Sequence, residues 1–141
     1  MLVGLRRGWL SAAMKEEPPG LHETTPNSDG RTSFHHETLD VYQVALEFVH
    51  WLIELPGSQD LSERLCREID KNATSVVLNV AEGNGRYSEL DQRRFLEITA
   101  SSAAKTTAYL DLYRQKTSIT QVDIRPGKEL LSRIIAMITS F

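Results

Sequence analysis

The stretch SVVLNVAEGNGRYSELDQRR, from Ser75 to Arg94, decides the fold. Its first half continues an apolar stripe of helical spacing, and its second half opens a new helix behind a glycine-bracketed turn. Gly83 and Gly85 can take the positive φ angles that end one helix and start the next. The stretch therefore predicts a tight corner between two helices.

The polar residues of this corner indicate a structural pairing. Glu82 lies on the last turn of the first of these helices, where the helix dipole disfavours an acid. Arg86 follows four residues later and can form a salt bridge with it. Ser88 and Asp91 have the spacing of a capping box for the next helix, with Asp in place of the usual Glu. The predicted structural corner consists of Glu82, Gly83, Gly85, Arg86 and Ser88.

Apolar residues recur every three or four positions on both sides of the corner. Upstream, this spacing predicts a first helix that stops before PGSQD, at 56–60, and a second helix capped by Ser58. Downstream, it predicts a third helix to about Gln115. The middle of this helix, TASSAAKTTA at 99–108, is rich in small residues, which allows close helix approach on more than one side. KTSITQVDIRPG, at 116–127, is predicted to connect the third helix to a fourth helix, which Pro126 can open.

Four helices with short connections predict an all-α fold, an antiparallel up-down four-helix bundle, at residues 38–141. Residues 1–37 hold three of the five prolines and lack periodic apolar positions. We expect them to form a disordered N-terminal tail, because they cannot bury enough surface to offset the entropy lost on ordering. The apolar face of the last helix, up to Phe141, is wide. It can pack either in the core or against another subunit.

The amino-acid composition limits the classes of function that the protein can have. The net charge of −3 argues against binding nucleic acid through an overall excess of basic residues, so only a local basic patch could bind it. The single cysteine, Cys66, excludes an intramolecular disulfide and a zinc site built on thiolates, and it is compatible with a cytoplasmic location. No apolar run approaches the roughly 18 residues needed to span a bilayer, so we expect no membrane partner.

No motif indicates an enzyme, and we expect no cofactor, no catalytic residue and no metal site. Three of the four histidines lie in the predicted tail. The chain lacks H-E-x-x-H, P-loop and G-x-S-x-G motifs, as well as the E-x-x-H pairs of a di-iron bundle. RTSFHH matches an R-x4-H ribonuclease pattern through Arg31 and His36, but a disordered tail would not fix its geometry.

Three segments together resemble a known family. LDVYQVALEFV at 39–49, SVVLNVAEGNGRYS at 75–88 and RRFLEITASSAAKTTAYLDL at 93–112 are similar, in this order and spacing, to four-helix bundle proteins encoded in intervening sequences of bacterial 23S rRNA genes. The most specific motif is N-x-AEG-x-GR-x-S, from Asn79 to Ser88. The resemblance covers about residues 38–141. It implies an up-down bundle that assembles as a ring-like homopentamer, with no established biochemical activity for most members.

One related branch of this family is the accessory protein of diversity-generating retroelements, which is markedly basic and binds the reverse transcriptase and nucleic acid. The present chain departs from the family pattern at two places. Asp70 and Lys71 stand where paired basic residues are frequent, and Lys105 stands where an acid is usual. The first departure weakens a nucleic-acid surface, and the second changes the polar pairing inside or between bundles.

The residues and the resemblance lead to one functional hypothesis and one alternative. We expect a non-enzymatic, self-associating four-helix bundle, a pentamer by resemblance, that acts as a binding scaffold. The alternative is a nucleic-acid-binding accessory factor that contacts RNA, DNA or a reverse transcriptase through phosphate-binding basic residues. The candidate nucleic-acid contacts are Arg64, Arg67, Lys71, Arg86, Arg93 and Arg94.

Overall fold

The computed structural model of the protein describes residues 24–26 and 32–140. In this part of the chain the predicted four-helix bundle is confirmed. Its helices are α1 (Asp40–Glu54), α2 (Glu63–Asn84), α3 (Glu89–Lys116) and α4 (Gln121–Thr139). Each helix packs on the next one along the chain, and α4 closes the bundle against α1.

Two of the predicted helix starts are wrong. The hydroxyl of Ser62 caps α2, whereas Ser58 lies in a separate 3₁₀ turn. α4 starts behind Thr120, which forms a capping box with Asp123, so Pro126 lies inside the helix and does not open it. Pro126 is exposed, and water can therefore satisfy the carbonyl group that loses its N–H partner there.

The core contains the apolar stripes of all four helices. Its largest fully buried side chains include Phe48, Ile69, Leu110, Tyr113 and Ile134. The wide apolar face of α4 lies in this core as far as it is described. Its buried members are Leu130, Leu131, Ile134 and Ile138. The structure thus favours the core over a second subunit as the partner of this face; Phe141 lies outside the described residues.

Most of the predicted tail also lies outside the described residues. Its described part forms two short antiparallel strands, β1 (Thr24–Pro26) and β2 (Thr32–Phe34), and a 3₁₀ turn at His35–Thr38. The His36 ring lies 5.8 Å from the Phe34 ring and 4.8 Å from the Tyr42 ring of α1, between centroids. Partial burial lowers the pKa of His36. Sequence periodicity cannot reveal such contacts, because each element is too short to show a period.

Candidate functional site

The corner between α2 and α3 consists of residues 85–88. The N–H group of Gly85 donates to the carbonyl oxygen of Glu82 at 3.2 Å, and the hydroxyl of Ser88 accepts from the N–H group of Asp91 at 3.5 Å. Gly85 has a φ of −81°, and Gly83 has no positive φ either. The predicted positive φ angles at these two glycines are therefore wrong.

The packing of α2 against α3 explains why residue 83 is a glycine. Gly83 is buried in the last turn of α2. A Cβ atom at this position would lie 3.0 Å from the Cβ atom of Phe95 in α3, which is closer than ordinary van der Waals contact. The missing side chain lets the two helices approach each other where they meet at the corner.

Arg86 connects the two helices through three contacts. Its guanidinium group forms an ion pair with the carboxylate of Glu82, and it lies over the ring of Phe95, 4.8 Å from the centroid. The carbonyl oxygen of Arg86 accepts a hydrogen bond from the side chain of Gln92 at 2.7 Å. One residue thus joins the last turn of α2 to the first turns of α3.

We predict that Arg86→Ala lowers the free energy of unfolding by about 1 kcal/mol, because it removes a partly buried ion pair and a cation–π contact. The matched control is Arg67→Ala. Arg67 pairs with Glu63 at the same spacing of four residues in the first turns of α2, at 2.6 Å, but both side chains are 63% exposed. We expect the control to lose less than about 0.5 kcal/mol. Equal losses in urea unfolding would contradict a structural role for Arg86.

The six candidate nucleic-acid contacts do not form one patch. One group lies near the start of α2 and consists of Arg64, Arg67 and Lys71, all exposed. The other consists of Arg86 in the corner and of Arg93 and Arg94 in the second turn of α3. About 20 Å of helix separate Lys71 from the corner. Since Arg67 and Arg86 are already paired with acids, the positive field of each group is reduced.

The small residues in the middle of α3 are divided between two sides of the helix. The core side is fixed against α2 by a hydrogen bond of 2.8 Å between the hydroxyls of Ser75 and Ser102. The buried residues of α3 on this side are Thr99, Ser102, Ala103, Thr106, Leu110 and Tyr113. The sequence predicted that other helices can approach α3 closely on more than one side, but it did not show which residues of α3 would face outward.

The side of α3 that is turned away from the core combines apolar, small and charged residues. Its exposed members are Leu90, Arg94, Glu97, Ile98, Ser101, Ala104, Lys105, Ala108 and Leu112, which we call the α3 outer face. Leu90 is 77%, Leu112 45% and Ile98 38% exposed. Sequence reasoning missed this face, because α3 has apolar residues on both sides and their spacing therefore gives no single apolar stripe.

Other candidate sites are not supported by the described geometry. Within residues 24–26 and 32–140, no three side chains of His, Cys, Asp or Glu lie close enough together to hold a metal ion. None of the helices in that part of the chain has the length and apolar character needed to cross a bilayer. Arg31 of the R-x4-H pattern lies outside the described residues.

The four-helix bundle and the corner motif from Asn79 to Ser88 are the features that assign the chain to a protein family. The family model of the 23S rRNA-intervening sequence protein matches residues 37–140. The chain therefore belongs to this family, as the segments around the corner predicted. A search of curated proteins found no match.

Proposed function

We propose that the protein is a non-enzymatic four-helix bundle that associates with copies of itself and serves as a binding scaffold. The observation that carries this proposal is the α3 outer face, where Leu90 and Leu112 expose large apolar side chains. Burying these side chains between copies is favourable in water. The α4 face does not serve this purpose, since it lies in the core.

The number of subunits and the extent of the assembling unit are further parts of the proposal. The family resemblance implies five copies. We assign assembly to residues 38–141 and treat residues 1–37 as a tail that assembly does not require. The single cysteine fits a reducing compartment, and we place the protein in the cytoplasm.

Light scattering behind size-exclusion chromatography tests self-association directly. We expect a mass near five subunits for the full chain and for residues 35–141. The double variant Leu90→Glu/Leu112→Glu should reduce the mass to that of a monomer, because a contact between copies would then bury unpaired carboxylates. The folded state should tolerate both changes, since both positions are exposed.

The control for this test is Val122→Glu. Val122 is an exposed apolar residue of α4 and lies outside the α3 outer face, so its replacement should leave the mass unchanged. A full chain that stays monomeric at high concentration would overturn self-association. An unchanged mass in the Leu90→Glu/Leu112→Glu variant would show that another surface carries it.

Nucleic-acid binding is the second candidate. It is favoured by Arg64 and Lys71, which are exposed on one side of α2 and form no ion pair within the described part of the chain. Fluorescence anisotropy with single-stranded RNA and duplex DNA should show binding that weakens steeply as salt is raised. Arg64→Glu/Lys71→Glu should abolish it. No binding at low salt would exclude this role.

A further inference from the structure

The outward side of α1 carries a row of acidic residues. Asp40, Glu47 and Glu54 recur every seven residues, so they lie nearly in one line with about 10.5 Å between neighbours. Gln43 and His50 lie between them, and all five residues are exposed. None of the three acids forms an ion pair within the described part of the chain. We call these five residues the α1 acidic stripe.

A groove of opposite charge lies between the outward sides of α2 and α3. Its exposed members, which we call the α2–α3 groove, are Arg64, Arg67, Lys71 and Leu78 of α2 and Ile98, Lys105 and Leu112 of α3. Arg67 is paired with Glu63. The other three bases, Arg64, Lys71 and Lys105, form no ion pair within residues 32–140. Their charge is therefore available to a partner.

Two of these bases come from different helices but lie at the same height. The hydroxyl of Tyr109 in α3 donates to the carboxylate of Glu68 in α2 at 3.4 Å. Together with the hydrogen bond between the two serines described above, this contact fixes the register of the two antiparallel helices. It places Lys71 level with Lys105 within about one residue, so the two ammonium groups flank the groove from opposite sides.

We infer that the α1 acidic stripe of one copy docks into the α2–α3 groove of the next copy. This inference rests on the proposed self-association and names the two surfaces that meet; the groove shares Ile98, Lys105 and Leu112 with the α3 outer face. The two surfaces lie on different sides of one bundle, so each copy binds two neighbours. Such a heterologous contact closes into a ring when the rotation allows it, and it is compatible with the five copies that the family resemblance implies.

The contacts around the bundle give the height of α1 relative to α2. They are Trp51 with Gly127, Lys128 with Asp111, and Tyr109 with Glu68. Followed from helix to helix, they place Trp51 level with about Leu65. Copies in a closed ring are rotated without a shift along the ring axis. When the helices run along that axis, residues at equal heights meet across the contact.

The acids and the bases meet in this arrangement. Glu47 lies within two residues, or about 3 Å, of the height of Lys71 and Lys105 of the next copy, and Glu54 lies equally close to the height of Arg64. Both pairings form together, because seven residues separate the two acids in α1 and seven separate Arg64 from Lys71 in α2. A stripe against a stripe, or a groove against a groove, would oppose like charges. Charge therefore favours the heterologous contact over a two-fold one.

Apolar side chains lie beside the charges on both surfaces. Leu46 and Ile53 are half-buried along one side of the α1 acidic stripe, and Leu78 and Leu112 are exposed in the groove. Docking removes this apolar surface from water, which is favourable. The charges then determine which surfaces meet and in which register.

A charge reversal in the full chain tests the docking. Glu47→Lys should reduce the mass in light scattering from that of the wild-type assembly to that of a monomer, because the new lysine faces Lys71 and Lys105 of the next copy. The matched control is Glu129→Lys, which makes the same change of charge at an exposed position of α4 outside both surfaces. It should leave the mass unchanged. An unchanged mass for Glu47→Lys, or equal losses in both variants, would overturn the docking.

A second reversal should restore the assembly. Lys71→Glu/Lys105→Glu should be monomeric, since two carboxylates then face Glu47. The triple variant Glu47→Lys/Lys71→Glu/Lys105→Glu should regain the wild-type mass, because opposite charges meet again. Residue 47 and residues 71 and 105 lie on different sides of one bundle, so a recovery must come from contact between copies. A triple variant that stays monomeric would contradict the pairing.

Disulfide trapping distinguishes a heterologous contact from a two-fold one. Residues 47 and 71 of neighbouring copies face each other, and a disulfide can bridge Cα atoms that are up to about 7 Å apart. Glu47→Cys/Lys71→Cys should therefore give a ladder of covalent multimers that ends at five copies under mild oxidation. Each single variant should give only the amount of covalent dimer that the wild-type chain forms through Cys66. No ladder, or strong dimers in a single variant, would overturn the docking.

The remaining outcomes separate this inference from the proposed function. A wild-type chain that is monomeric would overturn self-association and the docking together. A wild-type multimer that Glu47→Lys leaves intact would overturn the docking alone. If Lys71→Glu/Lys105→Glu kept the wild-type mass but lost binding to single-stranded RNA, the groove would be a nucleic-acid interface and the docking would be wrong.

Discussion

Phe48→Ala should remove about 3–5 kcal/mol from the free energy of unfolding. Phe48 is fully buried in α1, and its ring centroid lies 5.6 Å from that of Trp51. The smaller side chain would leave a cavity that a closely packed core can only partly refill. Since a single domain has about 5–15 kcal/mol of stability in total, the variant should be close to the limit of folding.

Urea unfolding followed by circular dichroism measures this loss. His50→Ala is the control, because His50 is exposed two residues later in the same helix and its replacement should change the stability by less than about 0.5 kcal/mol. A loss below about 1 kcal/mol for Phe48→Ala would show that the packing of α1 in the core is wrong.

The sequence predicts the existence and approximate extent of the first three helices, although not the start of α2, for a physical reason that Phe48 illustrates. An apolar residue every three or four positions is required to bury one side of a helix, and Phe48 belongs to such a series in α1. Ser88 likewise has the spacing of a helix cap, and it caps α3. These features depend on residues close together in the chain, so a single sequence contains them.

The features that the sequence does not reveal depend on contacts between distant segments. Gly83 was assigned to the backbone of a turn, but it is required because Phe95 approaches it from α3. In the same way, the period of α3 does not tell which of its small residues face α2. Ser102 faces α2, where its hydroxyl forms a hydrogen bond with the hydroxyl of Ser75, whereas Ser101 is exposed.

The family motif from Asn79 to Ser88 has a structural explanation that uses most of its polar residues. The side chain of Asn79 donates to the carbonyl oxygen of Ser75 at 2.7 Å, Arg86 pairs with Glu82 and Ser88 caps α3. The motif therefore identifies the family through the architecture of its corner. It does not by itself indicate what the protein binds, and the functional proposal depends on the outer face of α3 instead.

The start of α4 shows how one local signal can override another. Arg-Pro-Gly at 125–127 is typical of a turn, yet Pro126 and Gly127 both lie inside α4. The helix begins earlier because Thr120 and Asp123 form a capping box. Gly127 is buried, and the ring of Trp51 from α1 occupies the space in which a side chain at this position would lie.

Gly127→Ala should therefore destabilise the protein, although alanine is the better helix former. Helix propensity alone would favour alanine by about 1 kcal/mol. The added Cβ atom would overlap the ring of Trp51, and forcing an extra group into a packed contact costs about 1–3 kcal/mol, occasionally more. The overlap involves several atoms of a rigid ring. We therefore expect the steric cost to exceed the gain in helix propensity, so that the free energy of unfolding falls by about 1–2 kcal/mol.

A double-mutant cycle with Trp51→Ala separates the two effects. Without the indole ring the overlap disappears, so Gly127→Ala should become neutral or should stabilise the protein by up to about 1 kcal/mol through helix propensity. The change of sign between the two backgrounds is the diagnostic result, because a general defect of the helix at Pro126 would affect both backgrounds alike. If Gly127→Ala stabilised the protein with Trp51 in place, the close contact between α1 and α4 would be wrong, and the turn that the Pro-Gly pair suggests would regain its support.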